Sequence, residues 1–210
     1  MSSRPAGAWI EVVATVLLAV AAVLTAWCGY QATRWNGEQA KTASAVAATR
    51  FEASQEADLA NAQTQVDVAT FVQWVDAYAR DDEELQAFYL ARFREEFQPV
   101  VEAWIAEKPL KNPDAALTPF QMPEYKVAAR EQAEALDRQA DLLGEKVRTD
   151  IQRASNYVLG AVMCAVTLFF AGTGTKLTQP RLRVAMISLG AVIFLGTLIW
   201  VLTLPVSFAV

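Results

Sequence analysis

The sequence contains no histidine. Histidine is the commonest general base, the commonest metal ligand and the side chain whose charge changes near neutral pH. The carboxylates of the chain are not accompanied by a nucleophile–base pair, a glycine-rich phosphate loop or a metal-ligand spacing. The sequence therefore predicts that the protein is not an enzyme and has no catalytic residue, no cofactor and no metal site.

Cysteine is nearly absent as well, since the chain has only Cys28 and Cys164. Both lie within apolar stretches, and the polar middle of the chain has no cysteine. The middle therefore cannot form a disulfide framework or a thiolate metal site. We interpret both thiols as small packing residues of membrane helices.

Acidic residues are missing from the two ends of the chain. Of 23 acidic residues only Glu11 lies outside residues 31–153, whereas 14 of the 18 basic residues lie inside that range. The middle thus carries a net charge of about −8 and the ends together about +3. A soluble region this acidic disfavours nucleic acid as a partner.

Three apolar stretches are long enough to cross a bilayer, which takes about 20 residues. Glu11, near the start of the first, is either an interfacial residue or an intramembrane ion or proton site.

The three apolar stretches set the domain boundaries. These are 1–30 for the N-terminal tail and first transmembrane helix, 31–153 for an acidic helical stem and aromatic head, 154–175 for the second transmembrane helix, 176–183 for a short basic turn, and 184–210 for the third transmembrane helix and C-terminus.

The short turn carries Lys176, Arg181 and Arg183 and no acidic residue. Short basic loops stay in the cytoplasm. The N-terminus then shares the cytoplasmic side, and residues 31–153 and the C-terminus are extracytoplasmic.

The first transmembrane helix is expected to continue into water as an alanine-rich helix to about Ala79, with Asn36-Gly37 marking an alternative break at the membrane surface. A mostly small apolar stripe follows that pair at helical spacing, and an alanine-rich helix of this kind needs a partner. Its members are Ala40, Ala43, Ala47, Phe51, Ala62, Val66 and Ala69.

The rest of the middle is expected to return as two helices around a proline loop at 108–123. An amphipathic helix covers 83–107, capped by Asp81 and kinked or split by Pro99. The acidic run that precedes it favours capping over cation binding, because it lacks the spacing of a calcium loop. The last soluble helix starts near 122 and enters the bilayer unbroken, with a coiled-coil-like seam of Ala129, Ala133, Leu136, Ala140, Leu143, Val147, Ile151, Ala154 and Val158.

Aromatic residues fall into two groups. The predicted membrane-interface residues, which share positions at the ends of apolar spans, are Trp9, Trp27, Tyr30, Trp35 and Tyr157. The predicted head core, whose members share helical spacing, is Phe71, Trp74, Tyr78, Phe88, Phe93, Phe97 and Trp104, with a ligand pocket as the alternative. The fold class is accordingly all-α, with three transmembrane helices and a long helical-hairpin domain, coiled-coil-like, inserted between the first and the second.

The sequence resembles a group of uncharacterised bacterial integral membrane proteins over most of its length. The residues that carry the resemblance are Thr25-Ala-Trp27-x-x-Tyr30-Gln31-x-x-Arg34-Trp35-x-Gly37-Glu38-Gln39, then Met122-Pro123-Glu124-Tyr125 and Asn156-Tyr157-Val158-Leu159. The resemblance implies a multi-pass protein of the bacterial cytoplasmic (inner) membrane. It implies no activity and no functional residue.

Two functions remain open at this point. One is a homo-oligomeric structural or interaction protein, embedded in the lipid bilayer, that presents its helical extracytoplasmic domain to a protein partner at the head or at loop 108–123. The other is a subunit of an oligomeric channel or transporter pore, although the spans hold almost no charge and no filter-like motif. Both require copies of this chain to associate.

Overall fold

The structure is a computed structural model that describes residues 6–109 and 111–208. It consists of helices, and the described residues include no β-strand. In chain order they are α1 (Ala6–Ala79), α2 (Glu83–Leu90), α3 (Gln98–Ala106), α4 (Ala128–Lys176) and α5 (Pro180–Leu202), with a 3₁₀ turn at Pro119–Gln121. The predicted all-α fold class is confirmed.

α1, α4 and α5 each contain a stretch that is long and apolar enough to cross a membrane. Their hydrophobic windows have few charged side chains. Because the segments are helical, their backbone N–H and C=O groups pair with one another and need no water inside hydrocarbon. The chain is therefore a membrane protein with three candidate transmembrane helices.

The Asn36-Gly37 pair does not interrupt α1, which is helical throughout. One glycine in a helix costs only about 1 kcal/mol relative to alanine, and the neighbouring alanine, glutamine and glutamate residues are strong helix formers. The alternative of a break at the membrane surface is therefore wrong.

The helix expected over 83–107 is two separate helices. α2 ends at Leu90 and α3 begins at Gln98, so that Pro99 lies in the first turn of α3, where its missing N–H is tolerated. The cap of α2 also differs from the prediction. Asp82, not Asp81, accepts a hydrogen bond from the Leu85 backbone N–H at 3.0 Å.

α4 begins at Ala128 rather than near residue 122, because Pro123 and the extended backbone before it delay the helix. The predicted seam of α4 also departs from the structure after Val147. Ile151 and Val158 are exposed, whereas Asp150 and Tyr157 are buried. Steps of three and four from Val147 lead to Asp150, Ala154 and Tyr157, so the seam keeps its regular spacing and includes an acidic residue.

The chain separates into two compact units. The helix bundle comprises residues 1–44 and 143–210, and the acidic unit comprises residues 45–142. The acidic unit has 19 acidic and nine basic residues, a net charge of −10. The boundary lies inside α1 and α4 rather than where the composition changes.

Small residues bring the three helices of the bundle close together. A Cβ added at Gly160 of α4 would lie 3.1 Å from Val201 Cγ2 and 3.2 Å from Cys28 Sγ. A Cβ added at Gly190 of α5 would lie 3.4 Å from the backbone of Ala171. Such positions let membrane helices gain dispersion contacts that larger side chains would block.

In the acidic unit, α1 and α4 run antiparallel. Arg50 of α1 forms an ion pair with Asp141 of α4 at 3.2 Å, and Arg130 Nη2 donates to Asn61 Oδ1 at 3.4 Å. Small buried residues line the contact face, namely Ala53, Ala60, Ala129, Ala133 and Ala140.

Candidate functional site

One face of α1 in the acidic unit carries exposed small and apolar side chains. This outward stripe consists of Phe51, Leu59, Ala62, Val66 and Ala69, all of which are exposed. From Leu59 onward its members are three and four residues apart, and Phe51 precedes Ala62 by about three helical turns, so all lie on one face. The exposed polar residues Gln55 and Asp58 also lie on this face, because Gln55 is four residues after Phe51 and Asp58 is four residues before Ala62. The buried residues Ala53 and Ala60 lie on another face of the same helix.

The stripe overlaps the apolar series that the sequence indicated for this helix. Phe51, Ala62, Val66 and Ala69 belong to that series, and all four are exposed. Phe51 is 65% exposed, Leu59 48% and Val66 53%. α4 therefore covers a different face of α1 from the one that carries the predicted apolar series. The exposed residues of that series are free to contact another partner.

The aromatic core of the acidic unit lies where α1, α3 and the proline loop meet. Its buried members are Phe71, Trp74, Phe93, Phe97, Val100, Val101, Trp104 and Met122. Tyr78 and Phe88, which the sequence placed in this core, are 44% and 45% exposed. Helical spacing could not identify them as surface residues. Phe88 belongs to α2, which buries none of its side chains, and Tyr78 lies near the end of α1, where spacing does not show which face is covered.

The proline loop and the segment between it and α4 supply core residues that the sequence reading missed. Phe120 stacks on Phe97 with ring centroids 5.1 Å apart, and Tyr125 meets Phe97 edge to face at 5.6 Å. Met122 lies between them in the chain and is buried. The available signal was the presence of apolar residues between the prolines of a long loop. Apolar side chains in an exposed loop bury no surface, so their presence indicates that part of this loop packs against the core.

A buried charge network ties α1 to the segments before α3 and α4. Asp67 of α1 is fully buried, and it accepts hydrogen bonds from Arg94 Nε at 2.9 Å, Arg94 Nη2 at 2.8 Å and the Tyr125 hydroxyl at 3.1 Å. The bidentate contact satisfies both carboxylate oxygens. Asp67 follows Ala60 by seven residues, so heptad spacing from a buried alanine was the signal that could have located it.

The two partners of Asp67 both have raised pKa values. The hydrogen bond to Asp67 raises the pKa of Arg94 above its already high value, so Arg94 stays charged. Burial raises the pKa of Tyr125, and a hydrogen bond with Thr64 partly opposes that shift. Tyr125 is therefore held in its neutral, hydrogen-donating form through the physiological range.

An open cavity of about 360 Å³ lies beside the aromatic core. This aromatic pocket is lined by Trp74, Val75, Tyr78, Trp104, Ile105, Lys108, Pro109 and Lys111. The rings of Trp74 and Tyr78 are stacked with centroids 5.3 Å apart. Trp104 is fixed by its indole N–H, which donates to the Ala116 carbonyl at 2.7 Å.

The residues expected at the membrane interface divide into two sets. Trp9, Trp27 and Tyr30 are exposed, whereas Trp35 and Tyr157 are buried in the bundle. Trp35 Nε1 and the Tyr157 hydroxyl each donate to the Pro205 carbonyl at 3.2 Å.

A nearby glutamine completes this anchor for the segment that follows α5. Gln31 Oε1 accepts from the Ser207 backbone N–H at 3.0 Å, and its Nε2 donates to the Ser207 carbonyl at 3.5 Å. Gln31 and Ser207 are both buried. Gln31 therefore satisfies both backbone groups of a residue that no helix supports.

The basic residues of the short turn lie at two helix ends. Lys176 ends α4, and Arg181 and Arg183 belong to the first turn of α5. Lys176 and Arg181 are exposed, whereas the Arg183 side chain is largely buried and its Nη2 lies 3.2 Å from Glu11 Oε1. That separation is an ion-pair distance without hydrogen-bond geometry. Glu11 is therefore placed beside a cation at the end of its helix.

Among residues 6–109 and 111–208, no group of three or more acidic or cysteine side chains is arranged to hold a metal ion. The acidic run at the start of α2 contributes Asp82 as a cap, and Asp81 precedes it with a left-handed φ of 55°.

Comparison with known proteins adds no relative. No family model matches the chain, and neither a curated protein nor a solved structure matches it.

Proposed function

We propose that this protein is a homo-oligomeric structural or interaction protein of the bacterial inner membrane that presents its acidic helical unit to a partner outside the cytoplasm. The outward stripe is the observation that supports this proposal best. It places Leu59, Val66 and Phe51 on the surface of a strongly acidic unit. Exposed apolar side chains that follow one helix face mark interaction surfaces.

A second copy of the same chain is the best-matched occupant of the stripe. Copies inserted with one topology run parallel in the membrane, so each presents its stripe at the same height. A self-complementary contact between identical faces then closes as a symmetric dimer. Large residues (Leu59, Val66) alternate with small ones (Ala62, Ala69), which lets two helices approach closely and interdigitate.

Cysteine cross-linking tests this contact directly. In a Cys28→Ala, Cys164→Ala background, Leu59→Cys and Val66→Cys should each form disulfide-linked dimers when membranes are oxidised, because equivalent residues of parallel helices face one another. Ser54→Cys is the matched control. Ser54 is exposed on the same helix, and its spacing of five residues from Leu59 places it on another side. Equal cross-linking through Ser54→Cys, or none through Leu59→Cys, contradicts the proposal.

A charge in the stripe tests whether the contact holds the oligomer together. Ala62→Arg should shift the native mass in lipid nanodiscs toward the monomer, because two guanidinium groups would meet at the contact. Ser54→Arg adds the same charge off the stripe and should leave the mass unchanged. A monomeric parent chain in nanodiscs would remove the basis of the oligomer proposal.

The basic residues at the end of α4 and in the first turn of α5 support the proposed orientation of the chain. Lys176, Arg181 and Arg183 favour a cytoplasmic turn, which places the acidic unit outside. Glu95 is exposed in the acidic unit. Glu95→Cys, in the same cysteine-free background, should therefore react with a membrane-impermeant maleimide in intact cells. Labelling that requires permeabilised cells would reverse the topology.

A further inference from the structure

The aromatic pocket combines an apolar cavity with a positive rim, inside a unit whose net charge is −10. Two tryptophans, a tyrosine, a valine, an isoleucine and a proline form its wall, and Lys108 and Lys111 complete it. None of these described lining residues is acidic. The volume of about 360 Å³ falls within the range of small-molecule sites.

The lysines have no competing partner in the described part of the chain. Among residues 6–109 and 111–208, no carboxylate lies within ion-pair distance of the ammonium group of Lys108 or Lys111. The other lysine of the acidic unit, Lys126, lies 3.8 Å from Glu131. In so acidic a unit, two cations that form no ion pair with the described carboxylates leave a charge that a bound anion can neutralise.

The backbone at Lys108 supports a functional reading of this rim. Lys108 follows the last turn of α3 and has a left-handed φ of 54°. Glycine is the residue that usually occupies this position after a helix. The Lys108 carbonyl accepts hydrogen bonds from the Lys111 and Asn112 backbone N–H groups at 2.8 and 3.0 Å, which fixes the turn. The left-handed backbone thus ends α3 and holds Lys108 and Lys111 in one short turn at the rim of the pocket.

The wall selects for a flat apolar body. Trp74 and Tyr78 are stacked on one another, and Trp104 is locked by its hydrogen bond to the Ala116 carbonyl. Rigid aromatic side chains lose little conformational entropy on binding and offer faces and edges to a second ring. An aromatic cage for a cation would also use such rings, but two lysines at the rim oppose a cation.

We propose that the aromatic pocket binds a small organic anion with an aromatic body, with the ring between Trp104 and the Trp74–Tyr78 pair and the anionic group at Lys108 and Lys111. This site goes beyond the proposed oligomeric function and does not depend on it. None of its lining residues belongs to the outward stripe.

The test uses the full chain in phosphatidylcholine nanodiscs, with empty nanodiscs subtracted, and 2-naphthoate as the probe. Isothermal titration calorimetry should show one saturable site per chain for 2-naphthoate. The neutral 2-naphthamide should bind more weakly, by up to about fivefold for each lysine that pairs with the carboxylate, since an exposed ion pair changes an equilibrium constant by up to about that factor. The cationic 2-naphthylmethylammonium should bind more weakly still.

Charge reversal identifies the rim. The double variant Lys108→Glu, Lys111→Glu should lower the affinity for 2-naphthoate by about tenfold or more, because two attractions become repulsions. Lys126→Glu makes the same kind of change elsewhere in the acidic unit and should alter the affinity less than about twofold. Tyr78→Ala, at an exposed wall residue, should weaken all three probes together.

Several outcomes would overturn the site. These are the absence of saturable 2-naphthoate binding, equal affinity for the amide and the carboxylate, and an equal loss of affinity in Lys126→Glu and in the double variant. The substituted side chains are exposed, so each variant is expected to fold. Retained helical circular dichroism in each variant then shows that a change in affinity comes from binding and not from folding.

Discussion

The close helix contacts of the bundle and the aromatic core of the acidic unit are packed by different kinds of side chain. In the bundle, Gly160 and Gly190 let backbones and thin side chains come within van der Waals contact. In the acidic unit, Phe97 and Trp104 fill the space between short segments that do not pair closely. The difference follows from the surroundings. In lipid, helix association gains no hydrophobic free energy, whereas in water each large aromatic ring that becomes buried stabilises the fold.

Two buried polar contacts differ in charge between the units, although the bundle also buries Asp150 beside Arg153. In the acidic unit, Asp67 is matched by a charged partner, Arg94, and by Tyr125. In the bundle, the neutral Gln31 pairs with the backbone of Ser207. A neutral pair avoids the large cost of moving ions out of water, which suits a region that borders hydrocarbon.

The largest effect is expected from the aromatic core. Trp104→Ala should destabilise the acidic unit by about 3–5 kcal/mol, since it removes a large buried ring and its hydrogen bond to the Ala116 carbonyl. Hydrogen exchange followed by mass spectrometry should show faster exchange in peptides of the acidic unit and unchanged exchange in α5. Wild-type exchange in both units would indicate that Trp104 belongs to a binding surface and not to a core.

Loss of the buried cation should have a slightly smaller effect. Arg94→Ala leaves Asp67 buried without its charge partner, which should cost about 3 kcal/mol. Chemical unfolding of the full chain in nanodiscs, read through exchange in the acidic unit, measures this cost. Arg92→Ala is the control, because Arg92 lies on the surface over the Phe88 ring. A similar loss in both variants would show that the effect does not come from the contact with Asp67.

The small-residue packing of the bundle is tested by a pair of glycines. Gly160→Leu should destabilise the bundle by about 2 kcal/mol, since its Cβ would already press on Val201 and Cys28. Gly29→Leu should be tolerated, because a Cβ there meets nothing within 4 Å. Thermal unfolding in detergent, monitored by circular dichroism, compares the two. Equal destabilisation would show that glycine is not needed for close packing.

The smallest effect concerns pH. The pKa of Tyr125 is raised by burial, so the folded state keeps its proton more tightly than the unfolded state does. This contribution is fully present below the unfolded pKa of about 10 and is lost as pH rises through the folded value. Tyr125→Phe cannot ionise, so the stability of its acidic unit should fall less steeply above about pH 10 than that of the parent. If stability falls equally steeply with pH in the parent and in Tyr125→Phe, ionisation of Tyr125 does not contribute to the loss of stability at alkaline pH.

Several features were determined by the sequence alone. The lengths of the apolar stretches predict the hydrophobic parts of α1, α4 and α5, because crossing hydrocarbon needs a fixed number of apolar residues. The alanine-rich composition predicts that α1 continues through Asn36-Gly37, because local propensity accumulates along a helix. Pro99 indicates the division between α2 and α3, although not its position.

Other features were decided only by tertiary structure. Periodicity predicts that α1 has an apolar series, but it does not say whether α4 covers that series or the face with Ala60 and Asp67. Asp150 is buried at a seam position that a hydrophobic pattern skips, because that pattern does not show which face of α4 other segments cover.

The aromatic pocket is the clearest case of such a feature. It depends on α1, α3 and the proline loop meeting, which joins Tyr78 to Lys108 and Lys111. The anchor between Gln31 and Ser207 likewise joins residues 176 positions apart. Local sequence fixes the backbone conformation of each segment, whereas contacts between distant segments depend on which surfaces bury the most area and satisfy the most polar groups together.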